Sequence, residues 1–311
     1  MKKLFVVLAA FALTVAGAAA QDYNAAIEAF NNGAQTLDVN KEDALVQFRS
    51  ALSMFEACED AEAADMVVKC KEIISGTLFS IAKEQINNAD YDNAIASLKE
   101  TAKVAAEYGQ EEIAKEANDL VPNAWLRKGS TLLKAKDFAG AAVALKEVVA
   151  INPEDGQTWL LLGQSLMQSG DNDGAIEALG KAAEFGKAEQ ANKMLSNLYL
   201  KQGSALLKGN KAAEAIAAFE QSNAYLENAQ AYKLIASAQM KSGKNAAAIE
   251  AYKKYLELAP DAKDASDVKF TIAAAAQKAG DKATAIEYYQ MLSGDAKYAA
   301  QAKQQLEQLK K

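Results

Sequence analysis

The stretch Trp159–Leu166 reads WLLLGQSL and has a counterpart that begins at Trp125. Four pairs of positions are separated by the same interval of 34 residues: Trp125 and Trp159, Gly129 and Gly163, Ala141 and Ala175, and Leu145 and Leu179. A fixed period of this length is typical of stacked helical repeats. The interval therefore predicts a scaffold that works through contacts, and not a single globular core.

Each repeat is predicted to be two helices joined by a tight turn. In the copy near Trp125, we predict a first helix over residues 123–134, a turn over 135–137 and a second helix over 138–150. Pro153 prevents the second helix from continuing. Aspartates that suit the N-cap of the second helix recur in four copies: Asp90, Asp137, Asp171 and Asp281. Glycines that suit the left-handed end of the first helix recur in three: Gly170, Gly243 and Gly280.

Small residues recur midway along the first helices and early in the second helices. The first set is Gly129, Gly163, Gly203, Ala236 and Ala273, and the second set is Ala141, Ala175, Ala215, Ala248 and Ala285. Glycine inside a helix costs roughly 1 kcal/mol relative to alanine, so its recurrence indicates that two helix axes come close together. We expect the two small sets to face each other. A large side chain that fills the remaining space follows each alanine of the second set by four residues: Leu145, Leu179, Phe219, Tyr252 and Tyr289.

These positions resemble the tetratricopeptide repeat, whose signature is W-x2-L-G-x2-Y, then A-x3-F, then P. Trp159–Leu166 reproduces the opening with leucine in the tyrosine position, and Ala248–Tyr252 with Pro260 reproduces the close. The resemblance implies an all-α fold, an α-solenoid that forms a right-handed superhelix of about seven helix pairs. Residues 122–294 match the repeat well, and residues 21–121 are more divergent. Residues 295–311 are expected to form a polar capping helix over the last apolar face.

Residues 1–20 have the organisation of a cleavable secretory signal. Lys2 and Lys3 precede the apolar run Leu4–Val15, and the small residues Ala18–Ala20 precede an expected cleavage before Gln21. The apolar run is too short to span a bilayer comfortably. We therefore expect a bacterial protein that lies in the periplasm or is secreted after cleavage.

Charge and composition exclude several functional classes. The net charge of −7 argues against nucleic acid, which requires a concentrated basic surface. The sequence has no histidine, which removes Ser-His-Asp and Cys-His catalysis and the commonest transition-metal ligand. No arrangement of carboxylates predicts a catalytic pair or a metal site. We therefore expect a non-enzymatic protein with no cofactor and, beyond the signal, no membrane span.

Cys58 and Cys70 are the only two cysteines. An even number of thiols in an oxidising compartment suggests a disulfide. An ideal antiparallel hairpin would pair Cys58 with a residue that precedes Cys70, and a bridge requires Cα atoms within about 7 Å. A disulfide and two buried free thiols both remain open at this point.

The resemblance also implies a binding surface, because the first helices of this family line a concave groove that holds a peptide. The corresponding positions are Asn123, Leu126, Ser130, Gln157, Leu160, Gln164, Asn197, Leu200, Ser204, Gln230, Lys233 and Ser237. Amide side chains suit the backbone of an extended peptide because they both donate and accept hydrogen bonds. We expect a protein or peptide partner in this groove. The alternative is a glycan- or nutrient-binding accessory protein on the same helices, which exposed aromatic side chains in the groove would favour.

Overall fold

The computed structural model describes residues 23–58 and 62–309. The expected signal segment and Gln21 lie outside these residues. All regular elements in the described part are helical, and the chain divides into two compact units, which meet in sequence at Ala135 and Lys136. The predicted all-α fold of stacked helix pairs is confirmed.

The first unit contains five helices within its described residues. They are α1 (Tyr23–Thr36), α2 (Lys41–Ala57), α3 (Ala63–Asn87), α4 (Tyr91–Glu107) and α5 (Glu111–Lys134). The helices α1 and α2 form one pair, α3 and α4 form another, and α5 packs on α4. The buried side chains of Phe48, Phe55 and Ile74 form the centre of the first core cluster.

The second unit contains ten α-helices in its described part. They are α6 (Phe138–Ile151), α7 (Gly156–Ser169), α8 (Asn172–Ala182), α9 (Ala188–Lys208), α10 (Ala212–Tyr225), α11 (Ala229–Lys241), α12 (Asn245–Leu258), α13 (Ala265–Ala279), α14 (Lys282–Met291) and α15 (Ala299–Leu309). Four successive pairs run from α7/α8 to α13/α14; α6 packs on α7, and α15 packs on α14. A π-helical turn, Ala183–Lys187, separates α8 from α9 and carries a left-handed Gly186.

Close packing inside each pair follows the small and large positions of the repeat. A Cβ atom added to Gly163 would lie 2.6 Å from Leu179 Cγ, and one added to Gly203 would lie 2.6 Å from Phe219 Cε1. The glycines therefore contact the large side chain itself, whereas the sequence predicted an alanine opposite them. Alanines of the second small set are fully buried in the second unit: Ala141, Ala175, Ala215, Ala248 and Ala285.

The turns confirm three of the four predicted aspartate caps. The side chains of Asp137, Asp171 and Asp281 each accept a hydrogen bond from the backbone N–H three residues later. Asp90 does not cap α4, because its carboxylate accepts from Asn93 Nδ2 instead, at 2.7 Å. Gly170 ends α7 in the left-handed conformation that was expected there, with φ at 93°.

Two predicted helix starts are wrong. The helix expected from residue 123 begins at Glu111, and Pro122 lies inside it. A proline inside a helix costs about 3 kcal/mol. The buried face of α5, which includes Ala117, Val121 and Ala124, continues past the proline and offsets that cost. The last helix begins at Ala299 and not at residue 295. The Asp295 side chain accepts hydrogen bonds from the backbone N–H groups of Lys297 and Tyr298, which form a turn before the helix.

Candidate functional site

The predicted groove positions share one pattern of exposure. The amide side chains are all exposed: Asn123, Gln157, Gln164, Asn197 and Gln230. The apolar, hydroxyl and lysine members are half-buried: Leu126, Ser130, Leu160, Leu200, Ser204, Lys233 and Ser237. Asn123, Leu126 and Ser130 lie on α5 of the first unit. The other nine lie on α7, α9 and α11, which are successive first helices of the second unit.

The exposed amides of the second unit are available for a ligand. No side-chain hydrogen bond to Gln157, Gln164, Asn197 or Gln230 occurs within the described part of the chain. Ser204 differs, because its hydroxyl donates to the carbonyl oxygen of Leu200 at 2.8 Å, inside its own helix. The surface therefore offers free amides beside half-buried apolar and hydroxyl side chains.

Lys233 is engaged in a network at the junction of α11, α12 and α13. Its Nζ lies 2.5 Å from Asp264 Oδ2, and the Tyr255 hydroxyl donates to the other carboxylate oxygen at 2.5 Å. The same ammonium group lies 5.5 Å from the centre of the Tyr255 ring. The hydrogen bond from Lys233, and then that from Tyr255, lowers the pKa of Asp264. Burial, together with the bond to Asp264, raises the pKa of Tyr255 to about 12.

This network gives Lys233 a structural contact that the sequence did not predict. Asp264 precedes α13 and does not cap it with its side chain. Because the carboxylate is occupied by Lys233 and Tyr255, it ties the start of α13 to the two preceding helices. A ligand that contacts Lys233 must therefore share the ammonium group with Asp264.

A pocket of about 470 Å³ lies on another face of the second unit, between α10, α11 and α12. The residues Tyr232, Ile235 and Gln239 present the α11 side of this pocket. The groove positions Gln230, Lys233 and Ser237 precede them by two residues each, so the two faces of α11 point about 160° apart. Sequence analysis missed this pocket, because its residues come from three helices and show no motif.

Both tryptophan side chains pack against clusters of buried apolar residues. Trp159 Nε1 donates to the carbonyl oxygen of Pro153 at 2.7 Å, and its ring packs on the cluster around Leu179 and Leu195. Trp125 packs against the cluster that contains Phe79 and Leu98 in the first unit. Both rings are only half-exposed, which favours a packing role over a stacking surface for sugars.

Cys70 is a free cysteine, buried in the core of the first unit. Burial, with a smaller contribution from Glu56, raises the pKa of the Cys70 thiol to about 11. Cys58 is half-buried and packs against the same core cluster. The two sulfur-bearing side chains therefore share one cluster, and their pairing in an oxidising environment stays a prediction.

No group of three or more histidine, cysteine, aspartate or glutamate side chains able to hold a metal ion occurs in residues 23–58 and 62–309. Over the same ranges, no helix combines the length and the apolar character needed to cross a membrane.

Comparison with protein-family models identifies the repeat. One tetratricopeptide-repeat model matches residues 132–198, and a second matches residues 79–155 and 200–263. Together the matches cover more than half of the chain. The chain belongs to the tetratricopeptide-repeat family. This fold indicates a protein-interaction scaffold, and proteins of the family are generally not catalytic. No curated protein matches this tetratricopeptide-repeat chain by sequence.

Several solved structures are similar to this tetratricopeptide-repeat protein. A crystal structure of MamA protein is 24% identical over 59% of this chain and 96% of that chain, with a TM-score of 0.35. The C-terminal part of a repeat-containing protein from Cytophaga hutchinsonii is 18% identical over 71% and 81%, with a TM-score of 0.36. The P58(IPK) TPR domain is 13% identical over 92% and 97%, with a TM-score of 0.27. Likenesses at this level do not indicate a common function.

Proposed function

We propose that this chain is a non-enzymatic scaffold of the bacterial cell envelope that binds a protein or peptide along the groove face of its first helices. The observation that carries the proposal is the row of exposed amides on α7, α9 and α11. Gln157, Gln164, Asn197 and Gln230 are exposed, and their amide groups make no hydrogen bond to other described residues.

The chemistry of this row suits the backbone of an extended peptide. Each amide offers one carbonyl acceptor and two N–H donors, which complement the alternating N–H and C=O groups of the ligand. A single hydrogen bond contributes about 0.5–1.5 kcal/mol, so several successive amides are needed for useful affinity. The half-buried Leu160 and Leu200 lie among these amides and offer apolar contacts to the ligand.

The envelope location is part of the same proposal and is supported by the first twenty residues. Lys2 and Lys3, the apolar run Leu4–Val15 and the small residues Ala18–Ala20 have the order of a secretory signal. The alternative of a glycan- or nutrient-binding protein has less support, because the predicted groove positions include no aromatic residue.

Site-specific photocrosslinking tests the binding face. A photoreactive amino acid at Gln164 is expected to capture an envelope protein, whereas the same group at Glu177, an exposed residue of α8 outside the groove set, should not. Equal capture at both positions would contradict a ligand on this face.

Calorimetry with the captured partner then tests the amides themselves. Replacing Gln164 and Asn197 together by alanine removes two donor–acceptor groups and should weaken binding by about tenfold or more. The Glu177→Gln variant serves as the matched control and should bind as the parent does. Undiminished affinity of the double variant would place the partner elsewhere on the chain.

A further inference from the structure

The turns inside three successive helix pairs of the second unit carry a row of exposed lysines. These turns join α9 to α10, α11 to α12 and α13 to α14, and they lie within residues 208–214, 241–247 and 278–284. Each turn contributes two lysines with exposed side chains, and the six residues are named the lysine row: Lys208, Lys211, Lys241, Lys244, Lys278 and Lys282.

The lysine row lies along one edge of the second unit. The two helices of each pair are joined by a short turn and pack on each other, so they run antiparallel and each turn lies at the same end of its pair. Helix α10 packs on α11, and α12 packs on α13, which places the three pairs side by side. The lysines therefore follow one another across neighbouring turns.

The charge of this edge is opposite to that of the whole chain. The three turns contain six lysines and two acidic residues, Glu214 and Asp281, which gives a net formal charge of +4, whereas the whole chain has −7. Glu214 pairs with Lys211 at 3.2 Å, and Asp281 accepts from the backbone N–H of Thr284 at 3.1 Å. The other five lysines form no ion pair or side-chain hydrogen bond within the described part of the chain. Their ammonium groups face the solvent without a compensating charge.

The stability of the fold does not explain two members of the row. The second helices α6, α8 and α14 begin after aspartates that cap them, Asp137, Asp171 and Asp281. Lys211 and Lys244 hold the same N-cap position before α10 and α12, and neither makes a side-chain cap bond. A cation there is unfavourable, because the positive end of the helix dipole lies at the N-terminus. The two lysines thus stand where stability favours aspartate, which indicates a role in binding.

The composition of the three turns favours an anionic lipid surface over a protein as the partner. Residues 208–214, 241–247 and 278–284 include no arginine, no aromatic residue and no large aliphatic residue. Arginine and aromatic residues are enriched in protein interfaces, whereas lysine and alanine are depleted there. Clusters of about four to eight basic residues, by contrast, are attracted to anionic lipid headgroups without a shaped pocket.

We propose that the lysine row docks the second unit on a membrane surface that contains anionic phospholipids. The ammonium groups contact the lipid phosphates, and the three turns stay outside the apolar layer because they have no apolar side chain to insert. The choice of a lipid over a nucleic acid rests on the envelope location in the proposed function. Docking itself does not require a ligand in the groove.

Co-sedimentation with lipid vesicles tests the docking. The chain from Gln21 onward is used, so that the apolar run Leu4–Val15 does not contribute. Vesicles of phosphatidylcholine with about one third phosphatidylglycerol should bind the protein, and pure phosphatidylcholine vesicles should not. Binding should fall steeply when the ionic strength is raised from about 0.1 M to about 1 M, because the Debye length shrinks from about 10 Å to about 3 Å.

A double variant separates docking from folding. Lys211→Asp with Lys244→Asp supplies a capping side chain to both helices, so its melting temperature should equal or exceed that of the parent. Its affinity for the anionic vesicles should fall roughly twentyfold or more, since each lysine near such a surface contributes about fivefold. Lys282→Gln removes one charge and should cost about fivefold. The matched control is Lys187→Asp with Lys263→Asp, the same charge change near the starts of α9 and α13, at the opposite ends of the first helices; it should bind as the parent does.

Several results would overturn the proposal. Equal binding to neutral and anionic vesicles, or undiminished affinity of the Lys211→Asp, Lys244→Asp variant, would remove the lysine row from the docking surface. A lower melting temperature of that variant would show that the two lysines serve the fold instead. If duplex DNA displaces the vesicles in competition, the row is a nucleic-acid site and not a lipid site. None of these failures touches the groove, because crosslinking at Gln164 is measured without vesicles.

Discussion

A Cβ atom on Gly163 of α7 would lie 2.6 Å from Cγ of Leu179 on α8, and 2.7 Å from its Cδ2. Leu179 is fully buried, so its side chain has no solvent-facing space into which to move. The absence of a side chain on Gly163 is therefore what permits this approach of the two helices. The same relationship joins Gly203 to Phe219 in the next pair.

Gly163→Ala should destabilise the second unit. Alanine improves helix propensity by roughly 1 kcal/mol, but the overpacking against Leu179 exceeds that gain, and we expect a net loss of about 1–2 kcal/mol. Chemical denaturation followed by circular dichroism measures it. The matched control is Gly180→Ala on α8, where an added Cβ would have no atom within 4 Å. That control should stabilise the protein, and a destabilised Gly180→Ala would show that packing is not the cause.

The ion pair of Asp264 predicts a pH dependence. The folded pKa of Asp264 lies below its ordinary value of 3.8, because of the hydrogen bonds from Lys233 and then Tyr255. Its contribution to stability is therefore fully present above about pH 4 and is lost as the pH falls through the lowered pKa. Asp264→Asn should lower the melting temperature at pH 7 and have less effect near pH 3. Asp261→Asn, at an exposed position, is the control; a loss that does not change with pH would contradict the ion pair.

The buried thiol of Cys70 should react slowly. Its pKa is raised from 9.0 to about 11, so its thiolate fraction at pH 8 is about a hundredfold lower than that of an unperturbed thiol. In a Cys58→Ser variant, we expect reaction with a thiol reagent to be slow in buffer and fast in denaturant. Mass spectrometry of the oxidised parent, without reduction, then reports whether the two cysteines form a bridge. Rapid labelling of the folded variant would mean that Cys70 is accessible.

Removing the last helix should expose apolar surface. The α15 residue Ala302 is fully buried, Gln305 accepts a hydrogen bond from Gln277 at 3.0 Å, and Tyr298 stacks on Phe270 with ring centres 4.5 Å apart. A chain that ends at Gly294 should therefore associate or lose hydrogen-exchange protection in α13 and α14 first. Size-exclusion chromatography and hydrogen exchange measure both effects. A truncated protein that stays monomeric and equally protected would show that α15 is dispensable.

If the protein is exported as proposed, its signal segment should be cleaved from the mature chain. The order of Lys2 and Lys3, the apolar run Leu4–Val15 and Ala18–Ala20 predicts cleavage before Gln21. Expression in a bacterium with a periplasm, followed by N-terminal sequencing of the purified protein, should yield a chain that begins at Gln21. A protein that retains Met1 would contradict both the cleavage and the proposed envelope location.

The sequence by itself determined the repeat, most of its turns and the positions of its small residues. The interval of 34 residues, the recurrence of small residues at positions such as Gly163 and Ala175 and the caps at Asp171 and Asp281 are periodic or local features. Helix packing within a pair requires small and large residues at set spacings, and a cap requires a side-chain oxygen within three residues of the N–H that it accepts from. Both requirements can therefore be recognised from the amino-acid sequence alone.

Only the tertiary structure decided the environments of individual polar side chains. Lys233 meets Asp264 across 31 positions of the sequence, and Asn223 and Gln239 reach one pocket from two helices. The continuation of α5 through Pro122 was likewise decided by the buried face that the helix presents to its neighbours. Burial, charge pairing and the loss of a hydrogen-bond partner depend on which helices lie side by side, and no local spacing encodes that.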